Sequence, residues 1–251
     1  MHIGHAKAAL LNDYFAHEKY NGTLLLRFDD TNPSKEKMEF QDAIVKDLEL
    51  MGISPDRISF TSDYFQEIYD YGIQIIKDGN AYADDTDKET MAAQRMDGLP
   101  SKHRDDPVEE NLAHFEEMRK GTDEGARWCI RAKISVDNPN KALRDPVIYR
   151  VNNQNSHHRT GATWKIYPTY DFCCPIVDSM EGVTHALRTN EYRDRNPQYE
   201  WMLKTLNLRP VEIWDFSRMN FVRTVLSKRK LTKLVDSGVV WGWDDVRSAR
   251  P

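Results

Sequence analysis

Thr23-Leu24-Leu25-Leu26-Arg27-Phe28 is a short, nearly continuous apolar run, the pattern of a strand covered on both faces within a parallel sheet. Helical patterns flank it. From His5 to Tyr20 apolar residues fall at helical intervals (Leu11, Tyr14, Phe15), and Asn21-Gly22 closes the segment as a C-cap. Asn32-Pro33-Ser34 breaks the strand, and Ser34 is the expected N-cap of a helix carrying Phe40, Ile44, Leu48 and Met51 on one face. A second extended piece, Ile58 to Thr61, precedes an amphipathic helix with Ile68, Ile75 and Ile76 that ends at Gly79-Asn80. The fold class is therefore α/β.

The character changes at about Asp84. From there to about Lys165 the chain is acidic, polar and rich in turn signals such as Asp97-Gly98, Asn138-Pro139 and Asp145-Pro146. One clear helix is expected over 108–120, with extended pieces at 127–134 and 147–151. This stretch reads as an insertion. The α/β character returns at Ile166, with strands expected at 167–172 and 183–187 and a helix at about 197–206. The division is thus 1–83, 84–165 and 166–251.

Composition sets limits on function. No apolar run approaches the ~20 residues that span a bilayer, so no membrane role is expected. Cys129, Cys173 and Cys174 show no zinc spacing and no disulfide framework, which points to a reducing, cytoplasmic compartment and no structural zinc. The net charge of −5 argues against wholesale nucleic-acid binding, yet residues 217–233 hold six basic side chains and no acidic one. An acidic protein with one basic patch suits contact with phosphate at one place.

Two pieces carry chemistry. Met1-His2-Ile3-Gly4-His5-Ala6-Lys7 puts two histidines, with glycine between them, at the mouth of a helix, where a planar ligand can approach the backbone and a phosphate is favoured. Val225-Leu226-Ser227-Lys228-Arg229-Lys230-Leu231 is a basic loop able to neutralise a triphosphate. Either piece alone is more simply read as surface residues.

Together these segments resemble the two ATP signatures of class I aminoacyl-tRNA synthetases. Leu26-Arg27-Phe28-Asp29-Asp30-Thr31-Asn32-Pro33, Tyr167-Pro168-Thr169-Tyr170-Asp171-Phe172 and Glu181-Gly182-Val183-Thr184-His185-Ala186-Leu187-Arg188 narrow the likeness to the glutamyl/glutaminyl branch, eukaryotic/archaeal type. The resemblance implies a Rossmann-like parallel-sheet nucleotide-binding fold split by an insertion that binds the tRNA acceptor end. It also implies ATP with Mg²⁺ as co-substrate, with His2, His5 and Lys228 as catalytic residues. His2, Gly4, His5, Ala6, Lys7, Thr189, Arg218, Met219, Leu226, Ser227 and Lys228 would contact ATP. No residue is expected to ligate a metal.

Asp29, just past the carboxyl end of a buried strand, would pair with the α-ammonium of an amino acid, and Tyr170 would add a hydroxyl contact. Arg188 stands where glutaminyl relatives carry a small uncharged residue. A guanidinium holds a carboxylate by two charge-assisted bonds and a neutral amide poorly, so L-glutamate is the expected amino acid. The competing reading of Arg188 is an ion pair with a neighbour such as Glu191. The implied activity is glutamate–tRNA ligase acting on tRNA(Glu). Rivals are a glutaminyl-tRNA synthetase, an enzyme that glutamylates a tRNA base, and an inactive fragment serving as a binding module. Other synthetases or a scaffold protein are further partners the family allows. The family pattern also leads one to expect a first strand before the histidine motif and an anticodon-binding barrel after Asp245; neither is in this sequence.

Overall fold

The computed structural model describes residues 3–33, 38–219, 228–242 and 245, with side-chain surroundings for all of these except 38–40 and 228–231. The expected caps and loops at Ser34 and 220–227 lie outside them.

The chain begins with helix α1 (Ile3–Asp13), which widens into a π-helical segment over Tyr14–Lys19. Asn21 turns left-handed at φ 48°, and the Gly22 amide donates back to the Ala16 carbonyl (2.6 Å). The helix therefore ends where Asn-Gly indicated, although its last turns are wider than an α-helix.

Strand β1 (Leu25–Phe28) pairs in parallel with β2 (Arg57–Phe60), Leu25 facing Arg57 and Phe28 facing Phe60. Helix α2 (Met38–Leu50) makes the crossover. Helix α3 (Phe65–Lys77) buries Phe65, Ile68, Ile75 and Ile76. Gly72 lets Phe115 and Tyr149 approach, so that a Cβ there would lie 3.1 Å from each ring.

Four short strands, β3 (Ala81–Asp84), β4 (Cys129–Ala132), β5 (Val147–Val151) and β6 (Ile166–Pro168), form an antiparallel sheet in chain order. Two helices accompany it, α4 (Lys88–Asp97) and α5 (Val108–Lys120). Helix α5 falls on its expected span. Helix α4 was not expected, because it buries no residue and shows no apolar stripe. Its signals are its ends: the Asp87 side chain accepts from the amides of Glu89 and Thr90, and Gly98 closes it at φ 71°.

The strand expected at 167–172 is corrected. β6 stops at Pro168, and Tyr170 opens helix α6 (Tyr170–Met180). Aromatic β-propensity in the run Tyr-Pro-Thr-Tyr loses to packing. Thr169 is held by Ile148 and Val147, and Phe172, Cys173, Ile176 and Val177 bury one helical face.

Strand β7 (His185–Thr189) pairs in parallel with β8 (Glu212–Phe216) across helix α7 (Asn196–Thr205). β7 lies two residues later than expected, so Arg188 and Thr189 are its last two residues. β8 was not expected. Helix α8 (Lys228–Asp236) takes in the second half of the basic segment, so 228–231 are helical where a loop was expected.

One buried cluster spans these parts, including Ile68 of α3, Phe115 of α5, Ile130 and Tyr149 of the antiparallel sheet, Ile176 of α6 and Met202 of α7. A second link is ionic. Arg27 on β1 donates to Glu181 Oε2 (2.8 Å) and to Asp178 Oδ1 on α6. Arg57 (3.0 Å) and the Tyr64 hydroxyl (3.0 Å) reach the other Glu181 oxygen.

Two predictions follow from this packing. A Cβ at Gly125 would sit 2.2 Å from the carbonyl oxygen of Glu117, so Gly125→Ala is expected to cost about 3 kcal/mol in chemical denaturation. Burial opposes the Glu181 charge, but hydrogen bonds from Ser59 and Arg27 outweigh it and hold the carboxyl below its ordinary 4.5. That contribution is present above pH 4.5 and is lost as pH falls through the lowered value. Glu181→Gln should therefore weaken the protein at neutral pH and flatten the fall in melting temperature below pH 4.5.

Candidate functional site

The ends of the parallel strands carry the residues of interest, as open α/β sheets place ligands there. Asp29 and Asp30 follow β1 directly and have opposite surroundings. Asp30 is fully buried and accepts from the Ser62 amide (2.8 Å) and hydroxyl (2.6 Å). Its carbonyl meets His157 Nε2 at 2.7 Å, while His157 Nδ1 faces the amides of Arg159 and Thr160. Because both amides are donors, Nδ1 accepts and Nε2 carries the proton. Asp30 is thus an anchor. Asp29 is exposed and receives one side-chain hydrogen bond, from Thr31 (2.9 Å). Although the residue is open to water on one side, the protein crowded around its carboxyl raises the pKa from 3.8, and Thr31 offsets part of that rise.

Arg188, next to last in β7, is half-buried within three phenol rings. Its guanidinium carbon lies 5.0 Å from the ring centre of Tyr192, 5.3 Å from Tyr199 and 5.9 Å from Tyr170. Its Nη1 is buried and meets no hydrogen-bond acceptor among the described residues. Buried donors are almost always satisfied, so this one is placed to take a further acceptor, such as that of a bound ligand. Glu191 does not provide it, because Glu191 Oε1 is bound by Arg218 at 2.7 Å. Tyr170 stands at the first position of α6; burial, then the neighbouring Cys174, raise its phenol pKa. Cys174 is itself pushed up to about 12, chiefly by burial and next by Asp178.

Gly4 and His5 lie in the first turn of α1, with His5 exposed and Ala6 half-buried. Lys7 donates to the Ser217 carbonyl (2.5 Å) and hydroxyl (3.2 Å), and its ammonium sits 5.6 Å from the Phe216 ring centre. Lys7 thereby pins α1 to the end of β8, next to Arg218 and the exposed Met219. Thr189 joins this group through its register with Phe216. His2, Leu226 and Ser227 lie outside the described residues, as does the side chain of Lys228, which opens α8.

Sequence reasoning missed Tyr192, Tyr199 and Asp178. Tyr199 donates to Asp178 Oδ2 at 2.7 Å, which fixes one ring of the cage around Arg188. Asp178 sits four residues beyond Cys174, one helical turn on, so reading 170–180 as a helix would have drawn attention to it. A cleft of about 540 Å³ adjoins the end of β1, lined by Thr31, Asn32, Arg150, Asn152, Gln154 and Asn155. Its amides offer donors and acceptors side by side.

Comparison with known proteins follows the same lines. A family model described as tRNA synthetases class I (E and Q), catalytic domain, matches residues 1–250. The chain is 66% identical over 247 residues to the probable glutamate–tRNA ligase, cytoplasmic, of Schizosaccharomyces pombe, covering 98% of this chain and 34% of that protein. It is 66% identical over 248 residues to the cytoplasmic glutamate–tRNA ligase of Saccharomyces cerevisiae, covering 98% and 35%. It is 53% identical over 247 residues to the bifunctional glutamate/proline–tRNA ligase of Drosophila melanogaster, covering 98% and 14%. The chain spans about a third of the length of the two yeast proteins. A crystal structure of a glutamate tRNA ligase from Elizabethkingia meningosepticum, in complex with its amino acid, superposes with a TM-score of 0.64 at 22% identity. That match covers 93% of this chain and 50% of the other, and is a likeness of fold.

Proposed function

We propose, because this chain belongs to the catalytic-domain family of the class I tRNA synthetases for E and Q, that it is the core of a glutamate–tRNA ligase. The observation that carries the choice of glutamate is Arg188, a half-buried guanidinium inside three tyrosines whose Nη1 meets no acceptor among the described residues. A carboxylate side chain satisfies it; a carboxamide leaves its charge uncompensated. The relatives at 66% identity are named glutamate ligases, which supports the same choice over glutamine.

In this reading the α-carboxylate of glutamate attacks the α-phosphate of ATP, forming glutamyl-adenylate and releasing pyrophosphate. The 2′-hydroxyl of the terminal adenosine of tRNA then attacks the acyl carbon and AMP leaves. Catalysis rests on positioning and charge, with no covalent enzyme intermediate. Asp29 pairs with the α-ammonium, Arg188 with the side-chain carboxylate, and Tyr170 donates a hydroxyl contact. His2, His5 and Lys228 meet the phosphates, and Gly4, Ala6, Lys7, Thr189, Arg218, Met219, Leu226 and Ser227 shape the ATP site. Lys7 has a second duty in its bond to Ser217. Among the described residues no three His, Cys, Asp or Glu side chains converge as a metal cage, so no residue is assigned to Mg²⁺, which this reading leaves to the phosphates of ATP.

The segment 84–165 acts as the acceptor-end grip, and the amide-lined cleft beside β1 suits the unpaired end of tRNA(Glu). A cytoplasmic location follows the names of the relatives, and the bifunctional relative favours partnership with other synthetases or a scaffold. No helix among the described residues is long and apolar enough to cross a membrane.

ATP–pyrophosphate exchange that requires L-glutamate and tRNA is the expected result; exchange with glutamine instead would sink the assignment. Arg188→Ala should raise the glutamate KM by roughly 30-fold or more, equivalent to ~2 kcal/mol or more of charge-assisted hydrogen bonding. Because the Asp29 pKa is raised, the acidic limb of kcat/KM for glutamate should lie above pH 3.8, the ordinary aspartate value.

A further inference from the structure

Three carboxylates lie in the neighbourhood of Arg188, and each is bound by a different arginine. Asp178, which holds Tyr199 of the cage, is taken by Arg27. Glu191, three residues on, is taken by Arg218 (2.7 Å). Asp171 follows Tyr170, whose ring centre lies 5.9 Å from the Arg188 guanidinium, in the first turn of α6, and is taken by Arg195. Asp171 differs from Glu191 in burial: its side chain is only 16% exposed against 54% for Glu191, while its partner Arg195 is 48% exposed and replaceable from the solvent side. Arg95, the other cation near this carboxylate, is committed to the carbonyls of Arg144 (2.8 Å) and Lys141 (3.3 Å). Removing Arg195 would therefore leave Asp171 as a half-desolvated anion, with Arg188, which makes no ion pair among the described residues, on the far side of the Tyr170 ring. An ion pair formed there would occupy the guanidinium that the substrate carboxylate needs.

We propose that Arg195 is a positioning residue that keeps Arg188 available to the substrate carboxylate by holding Asp171 away from it. The proposal rests on the reading that Arg188 binds the side chain of glutamate. Arg195 touches neither substrate nor ATP in this scheme. Its guanidinium carbon also lies 5.5 Å from the Tyr192 ring centre, so it steadies one wall of the cage as well. The two duties are separable, because only the first depends on Asp171.

The test compares Arg195→Ala, Asp171→Asn and the double variant in the full chain, by glutamate and ATP KM in pyrophosphate exchange. Arg195→Ala should raise the glutamate KM by about fivefold to tenfold, the scale of one partly screened ion pair, with kcat and the ATP KM within twofold of the parent. Adding Asp171→Asn should return the glutamate KM to within twofold of the parent, since the competing charge is gone. Arg195→Lys, which retains the charge, should stay near the parent even if Arg195→Ala unfolds. An unchanged glutamate KM in Arg195→Ala, or a raised KM that Asp171→Asn does not rescue, overturns the proposal. Loss of kcat and of both affinities together overturns it too. If Arg188→Ala abolishes glutamate use while Arg195→Ala is silent, the functional reading stands and this inference alone falls. If the parent chain shows no glutamate-dependent exchange, both fall.

Discussion

Arg27 is charged, lies on a strand inside the protein, and is bound by two carboxylates at the end of α6, Asp178 in its last turn and Glu181 just past it. Burial works against that charge, yet Asp178 and Glu181 more than offset it and raise the guanidinium pKa. The cluster also takes in Arg57 of β2, Tyr64 before α3 and Tyr199 of α7. Strand β1, which delivers Asp29, is thereby tied to α6, which delivers Tyr170, and to the ring that flanks Arg188. Buried ion pairs contribute little net stability, but removing one partner strands the others. Their value here is registry: they set where two halves of a site stand relative to each other.

The same principle separates Asp29 from Asp30. Adjacent in the chain, they meet opposite surroundings. One meets the Ser62 turn and His157, so Asp30 is consumed as structure. The other faces open space, so Asp29 stays available at the strand end. Around Arg188 the pattern recurs with opposite charge. Arg27, Arg195 and Arg218 each absorb a carboxylate, and Arg188 keeps a donor with no acceptor among the described residues.

Much of the architecture was legible beforehand. The apolar run ending at Phe28, the amphipathic faces of α3 and α5, and the Asn-Gly end of the first helical segment all appear in the structure, because each is specified by local periodicity or turn chemistry. What was misread follows a physical rule as well. α4 has no apolar stripe, and the run from Tyr167 to Phe172 has the composition of a strand. Its backbone turns helical at Tyr170 because Thr169 is clamped by β5 and Phe172 and Cys173 find a core to fill. Local propensity is a weak prior wherever tertiary burial is on offer.

By itself the sequence determined the α/β alternation, the family, and the identity of Asp29, Tyr170 and Arg188 as site candidates, because ordered motifs and apolar period are properties of neighbouring residues. The tertiary structure alone decided which charges are free. Whether Glu191 would neutralise Arg188, which aspartate of the pair would be buried, and that Tyr192 and Tyr199 flank Arg188 while Asp178 holds Tyr199 all depend on contacts between residues far apart in the chain. Charge pairing falls off over a few ångströms and takes no account of sequence distance, so it is settled only once the chain has folded.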